Sequence, residues 1–143
     1  MQPAADSSSL FRSILEQIAD AVIYADSTGA IALWNEAASG MFGYRAAEAT
    51  GQSLNLIIPE NLQGAHWRAF NAAMKAGTLT LQGRPTLTRA KHQSGRKLYV
   101  ELTFALVKDR GGAVLGAVAV ARDVTERVEQ QRAAASRDSV GDA

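Results

Sequence analysis

Two histidines and no cysteine bound the chemistry open to this 143-residue chain. Without a thiol there is no disulfide, thiolate metal site, cysteine nucleophile, c-type haem attachment or cysteine-linked chromophore. Two histidines alone cannot build a structural zinc site. No nucleophile–base pair, glycine-rich phosphate loop or paired carboxylates stand at a motif spacing, so no enzyme is expected. Asp26, Asp123 and Glu126 read as turn and strand-end residues, with Asp123 and Arg122 holding the last strand to the helix after it. His92, in "KHQSG", reads as an exposed hairpin residue. That leaves His66, within "IIPENLQGAHWRAFNAAMKAG" at 57–77. A neutral imidazole there can ligate a metal, whereas a lone histidine on a helix is more often a capped or solvated side chain.

The element that carries His66 is legible. Pro59 suits a first helical turn, Glu60 complements the positive helix end, and Leu62, Ala65, Trp67, Phe70 and Met74 recur at helical spacing up to Gly77. Upstream, serines precede Leu10, Phe11, Ile14, Leu15 and Ile18 in an amphipathic helix over 8–19. "AVIYAD" and "AIALW" then form a hairpin about Asp26 and Gly29. Asn35 caps a short helix stopped by Gly40 and Gly43, and "RAAEATG" is another, ended by Gly51. Downstream of Gly77, "TLTLQGRPTLTRAK", "KLYVELTFALVKD" and "AVLGAVAVARDV" alternate as three strands, with Pro85 marking an edge, a bulge or a late start. Residues 125–143 read as a short helix on a weak seam of Val124, Val128, Gln131 and Ala135, fading into a disordered tail. The expected organisation is a cap and dimerisation helix over 1–19, a core over 20–124 and an exit segment over 125–143. The fold class is α+β: one five-stranded antiparallel sheet, short helices on one face and flanking terminal helices.

A formal charge of +1 with interspersed signs advertises no face for nucleic acid or membrane phosphate. "RAKHQSGRK" is locally basic but reads as a solvated hairpin tip. "MQPAADSSS" lacks the basic and apolar regions of a signal peptide, and "AVLGAVAVA" is too short to span a bilayer as a helix, so the expected location is the cytoplasm.

The order of elements and several motifs resemble a PAS domain. "ADAVIYADSTGAIALWNEAASGMFGYRAAEATGQSL" is similar to the family's first half, and "GAVLGAVAVARDVTER" to its last strand and exit helix, over about residues 13–132. The middle resembles the haem-binding PAS domains of bacterial oxygen- and redox-sensing kinases and cyclic-dinucleotide phosphodiesterases. Those carry "P-(E/R)-x-(L/D)-R-x-x-H", and "PENLQGAH" keeps its interval from Pro59 to His66. The resemblance implies b-type haem, with His66 as proximal iron ligand. It puts Thr86 where the oxygen-gripping arginine stands, and Arg84 where a distal methionine or an isoleucine stands. Arg84 would then pair a haem propionate or donate to a bound diatomic. Leu102 and Phe104 match the distal apolar wall and, alternating on one strand, share a face of the sheet. Trp67, Phe70, Ile57 and Leu56 offer further apolar wall. A non-covalent flavin, with Trp34 or Trp67 stacking on it, ranks below haem. A haem-free module with an empty or small-ligand pocket, acting in dimerisation and signal relay, is the alternative. By analogy with other PAS domains, Leu10, Ile14 and Val128 are expected at a homodimer interface, with a kinase, cyclase, phosphodiesterase or other effector downstream in cis or in trans.

Overall fold

The computed structural model describes residues 3–79 and 83–141. Helix α1 (Pro3–Gln17) leads into strands β1 (Ala21–Asp26) and β2 (Ile31–Trp34). Then come helices α2 (Glu36–Phe42) and α3 (Ala46–Ala49), a 3-10 turn at Leu54–Leu56, and helix α4 (Glu60–Ala76). Strands β3 (Thr86–Lys91), β4 (Lys97–Lys108) and β5 (Val114–Asp123) and helix α5 (Thr125–Gly141) complete the order. The strands make the one five-stranded antiparallel sheet expected, and their order is β2-β1-β5-β4-β3.

Local chemistry fixes each junction. In the β1–β2 turn the Asp26 carboxylate accepts the Thr28 hydroxyl at 2.6 Å and the N–H groups of Thr28 and Ala30 at 2.9 and 3.1 Å, and Gly29 sits at φ +85°. Those donors favour the ionised form, the Thr28 hydroxyl most, and hold the Asp26 pKa below its ordinary value. Asn35 caps α2 through the Ala38 N–H, and Gly43 closes that helix in the left-handed region. Pro59 opens α4 and Gly77, at φ +72°, ends it. The buried core lies between α2, α3 and the sheet: Ile23, Ile31, Trp34, Phe42 and Leu98 are its largest apolar members.

Four boundaries differ from expectation. Helix α1 starts at Pro3, so Ser7, Ser8 and Ser9 lie within it and do not cap it, and it stops at Gln17. A proline tolerated in a first turn lets the helix begin that early. Strand β3 starts directly after Pro85 at Thr86, because Pro85 has no N–H to give a ladder. Of the upstream part of that expected strand, 78, 79 and 83–85 are not strand, and 80–82 lie outside the described residues. Helix α5 does not fade early but runs to Gly141, since Glu, Gln, Arg and Ala favour helix and no proline interrupts them.

Asp123 caps α5, accepting the Thr125 N–H at 2.9 Å, while Arg122 turns away and pairs with Asp20 at 3.2 Å. Val128, expected at an interface beside Leu10 and Ile14, is only 6% exposed within its own chain and so offers no free surface to a second copy. Leu10, Phe11 and Ile14 on α1 are exposed.

Candidate cofactor site beneath helix α4

The register of the sheet decides what faces α4. Ile23 pairs with Ala119 and Ala119 with Phe104, while Ala121 pairs with Leu102 and Leu102 with Thr86. Directly opposed residues share a face, so Ile23, Ala119, Phe104, Ala121, Leu102 and Thr86 form one surface. Ala117 follows in the same alternation, opposite Ala25 and Leu106. Three alanines on the central strand β5 therefore stand where larger side chains would fill the interior. On α4, Ala65 and Ala69 are the corresponding small residues; both border the interior space and both remain exposed, so the helix stands off from the sheet.

The gap so formed is a cavity of about 370 Å³, bordered by Leu54, Ile57, Leu62, Phe70, Val100, Leu102 and Phe104 among others. That volume lies within the range of ordinary small-molecule and cofactor pockets. Its polar lining is His66, Thr86, Thr88 and Arg89. Arg89 pairs with Tyr99, which assigns its side chain to the opposite face of β3. A second hollow of about 330 Å³ lies along the C-terminal half of α4, bordered by Met74, Leu79 and Leu106. The two share His66, Ala69, Phe70, Phe104 and Ala117, so together they make a slot with His66 near its middle.

His66 is held by its helix neighbours. Its ring lies 4.6 Å from Trp67 at 79° and 5.9 Å from Phe70 at 29°. Its Nδ1 is buried with no hydrogen-bond partner among the described residues. Burial lowers its pKa, because desolvation penalises the imidazolium. The neutral ring so favoured is the form that binds a metal. Among the described residues no three His, Asp or Glu side chains gather to hold a bare ion.

The expected site residues divide. Ile57, His66, Phe70, Thr86, Leu102 and Phe104 all border the cavity. Trp67 does not: its ring lies against Gly29 of the β1–β2 turn and its Nε1 donates to Asn55 Oδ1 at 2.7 Å. The helical rotation of about 100° per residue carries it off the face that His66 occupies. Arg84 is exposed and borders neither hollow, because it precedes Pro85 and the start of β3. Leu56 packs against the core cluster and also lies outside the cavity lining. Trp34 is buried in the core with its Nε1 shared between Ser39 Oγ and the Tyr44 carbonyl, so neither tryptophan borders the cavity as a flavin-stacking partner. His92 is only part-exposed; its Nδ1 accepts the Ser94 N–H at 3.0 Å, and its ring occupies the space beside Gly43. The alanines of β5 and α4, with Thr88, are the site residues the sequence did not single out. Their signal is a run of small residues on one alternating face.

The family model for the PAS fold matches residues 9–124. The chain is 28% identical over 120 residues to the sensor protein FixL of Bradyrhizobium diazoefficiens, covering 84% of this chain and 23% of that protein. It is 24% identical over 122 residues to the oxygen sensor protein DosP of Escherichia coli, covering 85% of this chain and 15% of that one. The chain thus spans less than a quarter of the length of either relative. Among solved structures, a PAS domain from Colwellia psychrerythraea superposes with a TM-score of 0.73 at 20% identity, covering 85% of this chain and 99% of that one. An RNA-binding light-oxygen-voltage receptor superposes with a TM-score of 0.74 at 24% identity, covering 96% of this chain and 38% of that one. At these identities the two structures speak for the fold alone.

Proposed function

The chain belongs to the PAS family of sensory domains, and on that premise we propose that it is a b-type haem sensor of gas or redox state with His66 as the proximal iron ligand. The observation that carries this reading is His66 itself: a half-buried imidazole, favoured in its neutral form, that borders an apolar slot. Alanines on both walls, Ala65 and Ala69 on α4 and Ala117, Ala119 and Ala121 on β5, leave room that a flat macrocycle could use. The similarity to a protein named an oxygen sensor and the Pro59–His66 interval point the same way.

Bound haem would supply the iron that takes a diatomic or changes oxidation state. His66 would hold that iron from the α4 side. Leu102, Phe104 and Val100 would keep water from the opposite wall. The Thr86 hydroxyl, bordering the cavity from β3, is a neutral donor where an arginine would bring a charge. Arg84 stays outside the lining and is given no part in the site. The reading contains no catalytic step.

Purified protein titrated with haem should develop a Soret band that shifts with oxygen or carbon monoxide and is lost in His66→Ala. Identical spectra for the two proteins would end the ligand assignment. A cofactor-free relay module is the reading that then remains, and a non-covalent flavin has less support because no tryptophan borders the cavity.

We further propose a cytoplasmic homodimer formed through α1, for which the exposed Leu10, Phe11 and Ile14 are the support, acting on a kinase, cyclase, phosphodiesterase or other effector in cis or in trans. Strain at Leu102 and Phe104 would pass through β4 and β5 to Asp123, Thr125 and α5. Sedimentation showing a strict monomer at high micromolar concentration would exclude the dimer.

A further inference from the structure

Trp67 is the residue that the cavity leaves unexplained. A large aromatic side chain next to the candidate ligand turns away from the cavity and is fixed at three points. Its indole Nε1 donates to Asn55 Oδ1 at 2.7 Å, in the 3-10 turn that precedes α4. Its six-membered ring lies so close over Gly29 that a Cβ at that position would overlap it. Its ring also meets Phe70 at 5.3 Å and 79°, and meets His66 at 4.6 Å and 79°. Gly29 is itself held at φ +85° by the turn that Asp26 organises, and the Gly29 carbonyl accepts the Leu54 N–H at 3.2 Å. The indole is thus clamped between the β1–β2 turn and the 3-10 turn, with one side free to bear on His66. The imidazole has no hydrogen bond at Nδ1 to set its orientation. Packing must set it instead.

We infer that Trp67 is a positioning residue for His66, and that Asn55 and Gly29, by clamping the indole, set the angle at which the imidazole enters the cavity. In metal sites generally a hydrogen bond from the second ring nitrogen does this work; here two edge-on and stacked aromatic contacts replace it. The consequence is a mechanical link from the cavity to the β1–β2 turn, in a part of the sheet separated by β5 from the strand that carries Leu102 and Phe104. The inference rests on the proposed reading only in making His66 the liganding group.

Three variants test it: Trp67→Phe keeps a ring but loses the Asn55 bond, Asn55→Ala removes the acceptor alone, and Asn55→Asp restores an acceptor oxygen. Each is compared with the starting protein by haem titration and, without haem at pH 8, by the His66 ring-proton chemical shifts in NMR. Loss of an orienting partner typically weakens a metal site 10- to 100-fold. Trp67→Phe and Asn55→Ala are expected to weaken haem uptake about 10-fold and to move the His66 ring-proton resonances, with Asn55→Asp recovering both. Unchanged His66 resonances in Trp67→Phe and Asn55→Ala would overturn the inference, whatever haem does. Failure of the starting protein to take up haem, with those resonances still displaced, would overturn the haem reading and leave the positioning role standing.

Discussion

The Asn35 carboxamide oxygen accepts the Val22 N–H at 2.9 Å, tying the start of α2 to strand β1. The same oxygen accepts the Ala38 N–H at 3.0 Å, and Nδ2 donates to the carbonyls of Leu15 at 2.8 Å and Asp20 at 3.1 Å. One side chain, 1% exposed, thereby fastens α1, β1 and α2 together. Asn35→Ala leaves buried polar groups unpaired and is expected to cost on the order of 3 kcal/mol. Urea denaturation checks this; a loss under about 1 kcal/mol would mean that water replaces the amide freely.

Filling the slot should separate stability from ligand capacity. Ala119 faces the cavity between Ile23 and Phe104. Ala119→Leu is expected to raise the stability of the haem-free protein by roughly 1 kcal/mol and to abolish haem uptake. Thermal melts and Soret titrations of the same sample read both. A variant that binds haem normally would place the cofactor elsewhere.

The His66 pKa is lowered by burial, so in acid the unfolded chain takes up its proton before the folded one does. Stability contributed by the neutral ring is therefore full above the unfolded value of about 6.5 and declines as pH falls from there toward the lower folded value. His66→Phe should flatten the stability profile across that window, measured by denaturation midpoints at successive pH values. An unaltered slope would assign the dependence to another group.

Gly116 has no space for a methyl group. A Cβ there would fall on the Ala25 carbonyl oxygen and lie 2.8 Å from the Tyr24 ring. Gly116→Ala is expected to destabilise the β1–β5 pair by about 1–3 kcal/mol, visible as a lowered melting temperature. An unchanged melt would show that the β1 backbone at Ala25 and the Tyr24 ring both shift at no cost.

Thr125 links β4 to the exit helix: its hydroxyl oxygen accepts the Tyr99 N–H at 2.9 Å and its own N–H goes to Asp123. Arg132 lies 4.8 Å over the Tyr99 ring, adding a second tie from α5 to the same residue. Thr125→Val should cost about 1–2 kcal/mol by stranding the buried Tyr99 N–H. It should also speed amide exchange in α5 more than in β1. Equal exchange in the two would show that α5 docks without this bond.

What the sequence disclosed followed from how each signal is written. The Asp26–Gly29 turn, the Asn35 cap, the Pro59 start and the Gly77 stop each rest on a residue whose local chemistry admits few conformations, and each stands as read. Leu102 and Phe104 were placed on one face by alternation alone, and both border the cavity. The alanines that create the cavity went unmarked, because an apolar run on a central strand looks the same whether it packs a core or lines a void. Trp67 was misplaced by its adjacency to His66: neighbours in sequence diverge on a helix, and only the partner groups Asn55 and Gly29 reveal its direction. Val128 was read from a seam that suits a partner helix and the chain's own sheet equally well.

Ala21 at the beginning of β1 pairs with Ala121 near the end of β5, and Asp20 bridges to Arg122 beside them. The polypeptide therefore arrives and departs at one doorway, two neighbouring strands being only about 4.8 Å apart. A sheet core entered and left in this way suits splicing into a host loop without pulling its surroundings apart.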